Sequence, residues 1–238
     1  MDLCVVITLT TGEERQVMLG PRWTAIPAEM FKRRIDIASV IVPGGVTAIG
    51  EDAFAHCRSL ASVTIPEGVT TIKSYTFAAC TSLISITIPE GVTTIETYAF
   101  ASCHSLTSIN LPAGLTTIRE GVFVHCRSLT SINLPAGLKT IGSWAFSDCS
   151  SLASVTIPEG VTTIENHIFD HCPRFPRPIL LPGLLFWSWE TRTQCEPARQ
   201  AWVAVVRLLL DRCGLPDLVH VEILKNFRRH ELGRITGL

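Results

Sequence analysis

The sequence predicts an α/β-type repeat solenoid, a stack of short coils with a parallel β-sheet along one side. Three observations predict it. Cysteine recurs at Cys57, Cys80, Cys103, Cys126, Cys149 and Cys172, each 23 residues after the last. Proline keeps the same interval (Pro43, Pro66, Pro89, Pro112, Pro135, Pro158), and so does phenylalanine (Phe54, Phe77, Phe100, Phe123, Phe146, Phe169). A period of 20–29 residues on an apolar skeleton marks stacked repeats, because no single repeat can bury its apolar face alone.

One unit reads Leu60-x-x-Val63-x-Ile65-Pro66-x-Gly68-Val69-x-x-Ile72-x-x-x-x-Phe77-x-x-Cys80. Val63 and Ile65 stand two apart and share one face of a strand. Pro66 has no N–H and ends that strand's ladder. Gly68 is expected to allow a tight turn. Val69 and Ile72 then return inward, with Phe77 and Cys80 on the far side of the coil. In the stack these residues form continuous columns. Parallel strands about 4.8 Å apart would make six coils roughly 30 Å long.

The unit resembles the leucine-rich repeat of the BspA type, in spacing and in residue type, in six near-identical copies over residues 37–172. The resemblance implies a leucine-rich-repeat stack that binds through an extended surface. Its members include bacterial surface adhesins and many eukaryotic proteins. A weaker copy precedes it, where Trp23 to Phe31 parallels Val46 to Phe54 at the same offset.

The ends need covering. Residues 3–18 read as a β-hairpin, with strands near Val5–Thr10 and Arg15–Leu19 around Thr11-Gly12-Glu13. Residues 1–36 are thus expected to hold an N-terminal hairpin cap and a degenerate first repeat. The solenoid is expected over 37–178, where Pro173, Pro176 and Pro178 end the register, and a helical C-terminal cap over 179–238. In the tail, Pro197 suits a first helical turn and Gly214 a helix stop. Leu215-Pro216-Asp217-Leu218 resembles the opening of an F-box. That resemblance implies an alternative role as substrate adaptor of a ubiquitin ligase.

Net charge is −1, so nothing global draws the chain to nucleic acid. Residues 37–172 hold five Lys/Arg against ten Asp/Glu, and residues 173–238 hold ten against six. No stretch approaches the roughly 18 uninterrupted apolar residues of a membrane span. Asp2 and the early Thr8 do not fit a secretory signal, and an intracellular location is expected. There the six periodic thiols would stay reduced, as small core residues. No C-x-x-C pair suggests zinc, and neither cofactor nor metal is expected.

No catalytic set emerges. His56-Cys57, His125-Cys126 and His171-Cys172 are neighbours whose side chains point apart, and the cysteine is a core position. The expected function is therefore non-enzymatic, a scaffold for a protein partner. Outward hydroxyl columns (Ser62, Ser85, Ser108, Ser131, with Thr64, Thr87, Asn110, Asn133) are small and monotonous, unlike the aromatic and arginine anchors of recognition surfaces. One column does vary: Asp52, Tyr75, Tyr98, Gly121, Trp144, His167. Its rings Tyr75, Tyr98 and Trp144 are the candidate partner-binding residues. Arg58, His104 and Arg127, from a second variable column, are candidates for a rim.

Overall fold

The computed structural model describes residues 3–20 and 23–174. The expected helical region at 179–238 lies outside the described residues. Fifteen strands appear among them. A hairpin, β1 (Cys4–Leu9) and β2 (Glu14–Met18), opens the chain. Each coil then contributes two short strands. The first are β4 (Ile37–Ile41), β6 (Ser62–Thr64), β8 (Ser85–Thr87), β10 (Ser108–Asn110), β12 (Ser131–Asn133) and β14 (Ser154–Thr156). The second are β3 (Ala25–Ile26), β5 (Ala48–Ile49), β7 (Thr71–Ile72), β9 (Thr94–Ile95), β11 (Thr117–Ile118), β13 (Thr140–Ile141) and β15 (Thr163–Ile164).

The second strands form one unbroken parallel sheet of seven, with Thr71 opposite Thr94 and Ile72 opposite Ile95. The register is one repeat, so equivalent residues of successive coils lie side by side. The first strands pair in the same sense in shorter runs: β4 with β6, β8 with β10, β12 with β14. The sequence reading anticipated one such ladder, and the molecule has two. Thr-Ile is β-branched and suits a pleated, half-buried surface, even in two-residue pieces.

No helix occurs among the described residues, so this part of the molecule is a β-solenoid rather than the α/β type expected. The third side of each coil is made of turns. Its amides alternate in direction. Phe54 N–H and His56 N–H donate to Thr76 and Ala78 carbonyls of the next coil (2.9 and 2.7 Å), whereas Ala55 N–H and Cys57 N–H donate locally to Asp52 and Phe54 (2.9 and 3.2 Å). All of these buried polar groups are satisfied without a helix. Two left-handed residues per coil, such as Tyr75 (φ 56°) and Ala79 (φ 57°), are incompatible with a right-handed helix.

The core is a set of columns. Seven phenylalanines from Phe31 to Phe169 stack with centroids 5.1–5.7 Å apart and interplanar angles of 4–13°. Burying each ring stabilises the stack by roughly 2–3 kcal/mol. Beside them each periodic thiol donates to a carbonyl one coil back, as Cys80 Sγ does to Phe54 O at 3.2 Å and Cys103 Sγ to Phe77 O at 3.2 Å. Cysteine fits because it is small, apolar and still a weak donor.

Gly68 lies in the tight turn expected there, closed by the Val69 N–H donating to the Pro66 carbonyl at 3.1 Å, and its φ is not positive. A Cβ there would lie 3.1 Å from the Val46 carbonyl oxygen of the preceding coil. At Gly68 close approach between coils is thus a further reason for glycine.

At the N-terminal end β1 pairs antiparallel with both β2 and β4. Its alternate residues Val5, Ile7 and Leu9 are buried on the core. The hairpin therefore closes both the apolar end and the open hydrogen-bonding edge of β4. Its own outer strand β2 presents Glu14 and Arg15 to solvent.

Candidate partner-binding strip

Each coil leaves its second strand at an isoleucine and turns a corner three residues later. The residue at that corner is left-handed in every coil: Glu29, Asp52, Tyr75, Tyr98, Gly121, Trp144 and His167, with φ of 54–61°. This is the column that varies. Asp52 and Gly121 suit the conformation, since Gly and Asp tolerate it. Tyr and Trp do not, and holding an L-residue there costs about 1–2 kcal/mol.

The rings of this column stack in two pairs. Tyr75 and Tyr98 lie with centroids 5.4 Å apart, and Trp144 and His167 with centroids 5.9 Å apart. Gly121 separates the pairs, and Tyr98 leans over it. A Cβ on Gly121 would lie 2.2 Å from Tyr98 Cε1. The Tyr98 hydroxyl donates to Glu120 Oε1 at 2.8 Å. Its phenol is pushed up to about 12, first by burial and then by that hydrogen bond and the Glu120 charge. Tyr98 is thus committed to packing within the strip. Tyr75 is 38% exposed and Trp144 41%, and these two rings present themselves to solvent.

The expected rim stands elsewhere. Arg58, His104 and Arg127 follow the core cysteine of their coils, at the opposite end of the turn side. Arg58 and Arg127 are exposed and His104 is half-buried. His104 titrates below the usual histidine range, mainly because of burial and then because of Arg127 and His125. These three belong to a separate column, so the six candidates divide between two ends of one side.

The His-Cys pairs hold no nucleophile. Burial pushes the Cys57 thiol up to about 11 and the Cys172 thiol to about 12, and Cys126 also rises. Each donates its proton to a carbonyl inside the stack. The histidines lie outside, where His125 and His171 each approach Asp148 Oδ2 to 3.6 Å. Among the described residues no three His, Cys, Asp or Glu converge to hold a metal ion. Among them no helix is long and apolar enough to cross a membrane.

Sequence reasoning found the variable column and missed its backbone. The signal was present, since aspartate and glycine share the column with tyrosine and tryptophan.

The arrangement of columns agrees with one family in particular. A family model for the BspA type leucine rich repeat region matches residues 24–149 and 116–180, in six copies. The chain belongs to that family. The crystal structure of a T. pallidum leucine rich repeat protein is similar to this BspA-type solenoid at 31% identity and a TM-score of 0.61, covering 67% of this chain and 72% of that one. A leucine rich cell surface protein from Faecalibacterium prausnitzii is similar at 28% identity and a TM-score of 0.52, covering 71% of this chain and 52% of that one. No curated protein matches the chain.

Proposed function

We propose that this BspA-type solenoid is a non-enzymatic protein–protein interaction scaffold, and that its contact surface is the strip from Tyr75 to Trp144. One observation carries the reading. Among the columns that vary, one carries tyrosine and tryptophan rings, exposes two of them and holds them in a costly backbone conformation. Strain that persists at an exposed position points to function. Exposed Tyr and Trp are also the commonest anchors of protein interfaces. Membership in a leucine-rich-repeat family supports a scaffold, while the fold alone names no partner.

The test uses the full chain as bait. Cross-linking capture from native extract should retain protein partners with the unaltered chain and lose them with Tyr75→Ala/Trp144→Ala. Retention by the double variant would overturn the assignment of the strip. A second reading places the same scaffold at a cell surface, as the name of the F. prausnitzii protein states for that protein. Fractionation of the native protein separates it from an intracellular scaffold. The ubiquitin-ligase adaptor alternative rests on residues 215–224, outside the described residues, and a pull-down with residues 196–238 tests it.

A further inference from the structure

We propose that the outer face of the first strands, from the cap strand β2 to β14, is a two-fold interface with a second copy of this chain. The Tyr75–Trp144 strip follows the second strands instead, so this interface goes beyond the scaffold reading and does not depend on it.

Strand register builds the face row by row. In β1 the buried Val5, Ile7 and Leu9 alternate with Cys4, Val6 and Thr8, which face outward. Cys4 stands opposite Met18, and Val6 opposite Ile41. Met18 is 56% exposed and Ile41 51%, so the cap end of the face is apolar and open. Ile41 then pairs with Thr64 and Ser39 with Ser62. From there serine alternates with threonine or asparagine, coil by coil, as far as Thr156. None of the five Lys/Arg or ten Asp/Glu of residues 37–172 stands in these columns. Among the described residues Glu14, opposite Thr8 at the rim, is the one charged side chain of the face.

Charge, period and area select a second copy as the occupant. A foreign partner is chosen by complementary charge, which this face does not offer. In a two-fold contact the same patch meets itself, so a charge near the axis would face its own like. A charge-free face avoids that repulsion. The face also repeats at one strand spacing, about 4.8 Å, and another copy carries the same repeat by construction. A two-fold axis along the stack sets each coil against its equivalent. Ile41 and Val6 then approach their counterparts, and hydroxyl columns meet hydroxyl columns that both donate and accept. A shift along the stack would set Met18 and Ile41 against hydroxyls, so the apolar end fixes the register. Eight strands at that spacing, five residues wide, make a face of about 38 by 17 Å. Two copies would bury about 1,300 Å², within the roughly 1,200–2,000 Å² of specific, stable interfaces.

Sedimentation equilibrium of the full chain over a range of concentrations is the test. The chain should sediment at twice its 26.0 kDa, with a dissociation constant on the order of micromolar or tighter. Ile41→Lys and Ile41→Glu change an exposed side chain and should fold, which circular dichroism checks. Each alone sets like charge against like and should weaken the dimer about tenfold or more. An equimolar mixture of the two should restore it. Asn110→Lys, three coils along the same column, should also weaken it, and Tyr75→Ala/Trp144→Ala should leave it intact. A chain that remains at 26.0 kDa at about 100 micromolar would overturn the proposal. So would a dimer that neither lysine variant weakens, or a Lys/Glu mixture no tighter than either variant alone. If the dimer fails while partner capture still depends on Trp144, this interface falls and the scaffold reading stands. If capture ignores Trp144 while the dimer behaves as expected, the strip falls and this interface stands.

Discussion

Two aromatic columns run side by side along the turn side, two residues apart in sequence. One is Phe31 to Phe169, unbroken and buried. The other contains Tyr75, Tyr98, Trp144 and His167, is broken at Gly121 and is partly exposed. Their stacking geometry is nearly the same, 5.1–5.7 Å against 5.4 and 5.9 Å. Stacking therefore follows from the repeat itself and says nothing about purpose. What separates the columns is backbone and solvent. The phenylalanines have ordinary φ, and the outer rings are left-handed. The inner column supplies stability, and the outer one spends a little of it.

The buried half of this comparison should break most completely in alkali. Burial pushes Cys103 up to about 12 and Cys57 to about 11, whereas a free thiol ionises near 8.5. The folded state holds these protons and the unfolded chain releases them first. Stability from the buried thiols is thus whole below about pH 8.5 and is lost as pH rises toward 12. Circular dichroism against pH should show cooperative unfolding in that window. Cys103→Ala should flatten the slope, and an unchanged slope would remove thiol ionisation as its cause.

Truncation of the inner column comes next. Phe100 touches rings on both sides at 5.4 and 5.7 Å and is fully buried. Phe100→Ala should cost about 3–5 kcal/mol in denaturant unfolding, since a cavity in a close-packed stack relaxes only partly. A loss below about 1 kcal/mol would mean that the columns do not pack as described.

How much of this was legible in the sequence depends on which physical variable carried it. The period placed Val63, Ile65, Ile72, Phe77 and Cys80 in the core, because burial acts through residue type. It also located the hairpin, because alternation in Val5, Ile7 and Leu9 is a face pattern. It did not show that the far side lacks a helix, because the alternating amides of Phe54, Ala55, His56 and Cys57 are set by backbone dihedrals. At Gly68 the turn was legible and the close approach was not, for a related reason. Glycine marks both a turn and a close approach, and only the Val46 carbonyl oxygen shows that Gly68 meets the second as well as the first. In the candidate site, Tyr75, Tyr98 and Trp144 were found together because variation stands out in a regular array. Arg58, His104 and Arg127 were joined to them without a distance, and the structure places them at the other end of the turn side.

Gly121→Ala tests the joint between the two ring pairs. The new methyl would meet Tyr98 and would also occupy a left-handed residue. Tyr98 must swing out, losing its bond to Glu120. The expected cost is about 1–3 kcal/mol, in the range of small overpacking changes. The Tyr98 phenol should then titrate nearer 10, by ultraviolet difference spectroscopy. A phenol that stays near 12 would show that the ring does not depend on this glycine.

The smallest effect on folding is the most informative about purpose. Trp144→Gly removes the stacking on His167, worth about 0.5–1.5 kcal/mol. It also relieves a left-handed residue of about 1–2 kcal/mol. The two terms oppose each other, so the unfolding midpoint should hardly move. Trp144→Ala removes the same ring and keeps most of the backbone strain, so it should be less stable than the glycine variant by about 1 kcal/mol. A core residue would behave otherwise, with both variants losing several kcal/mol together. If the two variants separate as expected while both lose the partner, the indole is retained at the cost of strain, for what it contacts outside the chain.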